Sequence, residues 1–155
     1  MGVSDNPATS FYAAQVFLYN PDQELIEREV DIAAFGLYIK MLVASCVTAF
    51  AEVTVPERLD VVAAVLPEGK CRVWFVSERQ AGDDTLVALR RVLESTSPIA
   101  VRNGPVVFAL SGAVGGRKPR GAPPSHPVPA EWRAISEWER LTLDDLVLRV
   151  CAETA

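Results

Sequence analysis

The stretch RLDVVAAVLPEGKCRVWFVS, residues 58–77, holds two apolar runs, 61–66 and 71–76, joined by Pro67-Glu68-Gly69-Lys70. Two β-rich runs either side of a short Pro/Gly turn predict a β-hairpin. In the second arm Cys71, Val73, Phe75 and Ser77 alternate with Arg72, Trp74, Val76 and Glu78, so both faces of that strand are partly apolar. A strand apolar on both faces is expected to lie inside a sheet covered on each side.

Downstream, GDDTLVALRRVLESTSP places Leu86, Leu89, Val92 and Leu93 at helical spacing, behind Asp83 or Asp84 as a cap and ahead of Pro98 as a stop. GPVVFALSGAV then supplies β-branched and aromatic residues between glycines, the composition of a closing strand. Upstream, residues 11–19 form an apolar, aromatic-rich run that breaks at Asn20-Pro21-Asp22. The following residues, 25–30, alternate imperfectly and are expected as an edge strand, with a short helix as the competing assignment. Asp31 can cap an apolar run over 32–51 in which Lys40 is the one charge before Glu52. Twenty such residues could cross a bilayer, but Lys40 near the middle would cost about 3 kcal/mol, which favours a helix buried between a sheet and other elements.

After Gly115 the composition changes: Pro119, Pro123, Pro124, Pro127 and Pro129 exclude helix and central strand. Beyond them EWRAISEWER spaces Trp132, Ile135 and Trp138 three apart, and Thr142 can cap a last helix carrying Leu143, Leu146, Val147 and Val150. The organisation this predicts is an α+β core over 1–116, a basic Pro/Gly-rich linker over 117–130 and a helical tail over 131–155 that docks on the core. The sheet is expected to be mixed or antiparallel, of about five strands with two helices packed on it.

Composition narrows the function. The chain has 155 residues, half of them hydrophobic and 23% charged, which suits one folded domain rather than a disordered chain. Its net charge of −5 disfavours general nucleic-acid binding, which needs a basic surface to neutralise phosphates. Cys46, Cys71 and Cys151 are odd in number and set among apolar neighbours, as free thiols are in a reducing compartment. A single histidine and the absence of CxxC point away from zinc, and no cofactor is expected. The N-terminal MGVSDNPATS carries neither Lys nor Arg and no apolar run follows a basic start, so no export signal is expected and the cytoplasm is the expected compartment.

The motifs resolve in the same direction. In SGAVGGRKPRGAPPSHPVPAEW, counting a phosphate loop from Gly112 puts Arg117, Lys118 and Pro119 where Gly, Lys and Ser/Thr are required, so the stretch is a linker or strap. His126 is the only imidazole that could activate a cysteine, and its proline-rich surroundings suit a solvated residue. Asp83-Asp84 and Asp144-Asp145 stand at helix starts, where capping accounts for them. The candidate partner-binding residues are therefore the basic knot Arg117, Lys118 and Arg120, together with Trp132 and Trp138.

The order strand, PEGK turn, strand, amphipathic helix, Pro, strand over residues 59–116 resembles the small ββαβ domain at the C-terminus of TonB-like periplasmic proteins, most closely in PEGKCRVWFVSERQAGDDTLVALRRVL. The resemblance implies a ββαβ fold and a non-catalytic role in binding partners, commonly through exposed strand edges. No N-terminal anchor, long spacer or export signal of the kind that family carries is expected here, so the resemblance is not taken to imply energy transduction. The expected function is a protein-binding module, an adaptor or a stoichiometric inhibitor of immunity-protein type, with dimerisation as an extension. A small cysteine-dependent enzyme and a membrane-associated accessory protein are the alternatives.

Overall fold

The computed structural model describes residues 11–53, 57–80, 82–115 and 126–153. Four strands among them form an antiparallel sheet: β1 (Phe11–Leu18), β2 (Glu57–Val65), β3 (Cys71–Ser77) and β4 (Val106–Val114), in the spatial order β1-β4-β2-β3. The helices are α1 (Asp22–Glu27), α2 (Ile32–Ala49), α3 (Asp84–Ser95), α4 (Ala130–Arg133) and α5 (Leu143–Glu153). The fold is α+β, as the sequence indicates.

The hairpin forms where expected. Val65 pairs with Cys71 and Leu59 with Ser77, while Gly69, at φ 84°, makes the reversal possible. β3 is nevertheless an edge strand, not the central one that its two apolar faces suggested. The central positions belong to β2 and β4, both buried over most of their length. The reason is that both faces of the sheet are covered at β3, by α3 on one side and by the C-terminal segment on the other, so this edge strand must be apolar on each side.

On one face, Leu59, Val61, Ala63, Val65, Val73, Phe108 and Leu110 pack against Phe35, Tyr38 and Leu42 of α2 and Leu86, Leu89 and Leu93 of α3. On the other, Val62, Ala64, Trp74, Val107 and Ala109 pack against Trp132, Ile135, Leu146, Val147 and Val150 of the C-terminal segment. The tail thus covers the second face of the sheet. Burying that much apolar surface at about 25 cal/mol per Å² makes the two cores the main source of stability.

The arm after Asn20-Pro21-Asp22, expected as an edge strand, is α1. Asn20 decides this: its side chain accepts the Val107 N–H at 2.8 Å and donates to Glu24 Oε1 at 2.9 Å, which fixes a helical first turn beside β4. Asp31 caps α2 as predicted, accepting the Ala34 N–H at 3.1 Å, and Asp83 caps α3 by accepting from Thr85 and Leu86. The α2 helix is not buried all round, contrary to expectation. Phe35, Tyr38, Leu42 and Cys46 are in the core, whereas Ile32, Leu37 and Met41 are exposed. By length and composition α2 could cross a membrane; here one face of it belongs to the core.

Gly112 on β4 is set by packing. A Cβ there would lie 2.0 Å from the Tyr12 carbonyl oxygen, at the point where the β1–β4 register shifts between Ala13 and Gln15. Only glycine lets the two backbones approach that closely.

Candidate partner-binding site

An edge strand leaves half its main-chain groups without a strand partner. On β3 the Val73 N–H points away from β2, because it donates to Glu94 Oε2 of α3 at 2.8 Å. In an antiparallel ladder successive residues alternate between the two sides, so Phe75 turns its N–H and C=O outward with Val73, while Trp74 pairs with Val62 of β2.

Along this edge runs a groove of about 750 Å³, lined by Arg72, Val73, Trp74, Phe75 and Ser77 of β3, by Leu86, Val87, Arg90, Arg91 and Glu94 of α3, by Arg79, and by Ala130 and Glu131 of α4. Four arginines face two glutamates there, in a chain of net charge −5. Glu94 is the hub: besides Val73 it accepts from Arg90 Nε at 3.1 Å and lies 3.9 Å from Arg72 Nε. Arg79 is held by Glu57 and by Asp83 at 3.2 Å; the hydrogen bond to Glu57 and the two carboxylate charges raise its pKa against the opposing effect of burial, and its guanidinium lies over the Phe50 ring. Arg91 is exposed and makes no ion pair among the described residues. The groove therefore offers an open strand edge, a carboxylate seated on it and cations around it.

The residues singled out from sequence lie elsewhere. Arg117, Lys118 and Arg120 are outside the described residues. Trp132, expected at a partner interface, is 2% exposed; its ring meets Trp74 edge-on at 5.4 Å and Tyr19 at 5.8 Å. It is a core residue because its helix closes the second sheet face. Trp138 is half-buried against the same cluster. His126 sets its Nε2 2.9 Å from the Leu18 carbonyl and packs on Phe17 and Tyr19, joining the end of the proline-rich segment to β1. Tyr19 completes that junction by donating its hydroxyl to the Pro127 carbonyl.

Sequence reasoning missed the groove arginines. The one available signal was the Arg90-Arg91 pair on the polar side of an amphipathic helix, and nothing local says that this side flanks the edge of β3.

The thiols do not have the character of nucleophiles. Burial pushes Cys46 up to about 12 and Cys71 up to about 11, and burial also raises Cys151. An activated cysteine is shifted the other way, toward the thiolate at neutral pH. Among the described residues no group of three or more His, Cys, Asp and Glu side chains is placed to hold a metal ion.

A second polar cluster is internal. Ser111 donates to Asp60 Oδ1 at 2.6 Å, and Arg58 reaches both, at 3.3 Å to Asp60 and 3.0 Å to Ser111. Asp60 and Ser111 are opposite one another on β2 and β4, so the cluster satisfies a buried carboxylate on the second sheet face.

No family model, no curated protein and no solved structure matches this chain.

Proposed function

We propose that this protein is a non-catalytic binding module that takes up an extended, acidic segment of a protein partner along the outer edge of β3. The observation that carries the reading is the Glu94 carboxylate on the Val73 N–H. A side-chain oxygen occupies the position that a carbonyl of an added strand would take, inside a groove whose other charges are mostly arginine. An incoming strand would replace Glu94 with its own main chain, and Arg72 and Arg90, no longer matched by Glu94, would face the partner's carboxylates. Main-chain bonds would supply affinity, and the arginines would select acidic side chains and speed encounter.

The resemblance of residues 59–116 to the TonB-like C-terminal domain, whose partners bind through strand edges, supports the same role. Either an adaptor or a stoichiometric inhibitor would use this mode. The cytoplasm is the proposed compartment, and no nucleic acid or cofactor is part of the reading.

A display library of random linear peptides tests it. Selected binders should be rich in Asp and Glu, should protect the Val73 and Phe75 amides from hydrogen exchange, and should bind more tightly to Glu94→Gln and more weakly to Arg90→Glu/Arg91→Glu. Selection of peptides that protect a different surface, or whose binding ignores these variants, would refute the reading.

A further inference from the structure

The exposed side of α2 carries Ala33, Leu37, Met41, Ala44 and Thr48, an apolar stripe four turns long, with Lys40 as its single charge. Leu37 is 63% and Met41 50% exposed. The stripe runs into a groove of about 540 Å³ between α2 and α3, whose walls are Ala44, Ser45, Thr48, Ala88 and Val92 and whose polar end is Asp84. Neither Lys40, on the stripe, nor Asp84, in the groove, makes an ion pair among the described residues, and the other residues lining the groove are small or apolar.

We propose that this face binds a second copy of the chain, with the two α2 helices antiparallel about a two-fold axis at Ala44. The inference is independent of the β3 edge. Lys40, Ala44 and Thr48 form one i±4 ridge, the kind of row that interdigitates with its equivalent across a helix pair. A two-fold at Ala44 sets Lys40 of each copy opposite Thr48 of the other, on the rim where Asp84 stands, so two unpaired charges meet opposite charges twice. Met41 and Leu37, the exposed large side chains of the stripe, lie within two turns of that crossing. Ala44, Ser45 and Thr48 at the crossing permit the close approach, about 8 Å between axes, that such packing needs. A centre one turn earlier, at Lys40, would instead bring the two ammonium groups together. Charge therefore selects both the occupant and the register.

Sedimentation equilibrium of the full chain should show a dimer with Kd on the order of 10 µM or tighter. Met41→Asp, at a position already exposed in the monomer, should weaken it about a hundredfold with the circular dichroism unchanged. Lys40→Glu should weaken it about tenfold, and adding Asp84→Lys should restore it. In a Cys151→Ser background, Ala44→Cys should cross-link to itself under mild oxidation, since a residue on the axis meets its own copy within disulfide reach, whereas Ala33→Cys should not. A monomer at the highest attainable concentration, a dimer indifferent to Met41→Asp, or cross-linking at Ala33 in place of Ala44 would overturn the proposal. So would flotation of the native monomer with phosphatidylcholine vesicles that is lost in Met41→Asp, which would reassign the face to lipid.

Discussion

Arg28, at the end of α1, grips Asp144, in the first turn of α5, with both ends of its guanidinium: Nη2 to Oδ2 at 2.8 Å and Nη1 to Oδ1 at 3.1 Å. Arg28 is 6% exposed and also donates to the Pro105 carbonyl, so the pair ties the last helix to the α1–α2 junction and to the residue before β4. Asp144→Ala removes the nearer of the two carboxylates, Asp144 and Glu24, that pair with a buried cation, and should cost about 1–3 kcal/mol in urea unfolding. It should also speed proteolysis within α5 more than within β2. Unchanged stability would mean that the apolar contacts of α5 hold the tail alone.

Trp132 provides the second test of the tail. Trp132→Ala opens a cavity beneath Trp74 and should lower stability by about 3–5 kcal/mol, with exposure of Trp74 visible as a red-shifted emission. Retention of native stability with loss of partner binding would instead make Trp132 an interface residue.

Gly112→Ala should be severe, because the obstruction is the Tyr12 carbonyl, a backbone atom that no rotamer change can move. About 3 kcal/mol or more is expected, concentrated on the β1–β4 ladder and readable as lost hydrogen-exchange protection in residues 11–18. Uniform loss of protection across β2 and β3 as well would show that β1 is not a separable unit.

Alkaline pH should destabilise the protein through its thiols. In the unfolded chain a cysteine ionises near pH 8.5, whereas burial holds Cys71 up to about 11 and Cys46 up to about 12 in the fold. Between those values the folded state retains protons that the unfolded state has lost, so stability falls as pH rises. The expected slope is about 1.4 kcal/mol per pH unit for each thiol, starting above about pH 9. Stability measured in denaturant from pH 7 to 11 should stay level and then drop, and Cys46→Ala should shallow the drop. At pH 8, alkylation should reach the half-buried Cys151 well before Cys71. Fast labelling of Cys71 in the folded protein would revive a cysteine-based activity.

The elements were legible wherever the signal is local. Two runs around Pro67-Glu68-Gly69-Lys70 are enough for a hairpin, and Asp31 and Asp83 mark their helices because a cap acts within three residues. The helix at residues 22–27 was misread because its cause, Asn20 bonded to Val107 and Pro105, lies more than eighty positions away. Strand order was illegible for the same reason: β3 is apolar on both faces owing to a tail more than fifty residues downstream. The candidate site suffered most. Its arginines sit on two elements that read individually as ordinary solvated faces, and only the packing of α3 on β3 makes a groove of them.

The placement of β1 beside β4 also governs how the chain can be made. Residues 11–18 have no sheet neighbour until residues 106–114 exist, and the second face stays uncovered until Trp132 and Val147 follow. The β2–β3 hairpin and α3 can form early from neighbouring sequence, but at 5–20 residues per second, roughly the rate of synthesis, the first strand waits about 5–20 seconds for its mate. During that interval it is an unpaired β-rich segment open to capture, so nascent chains stalled before residue 106 should be the species that chaperones hold and that aggregate when chaperones are scarce.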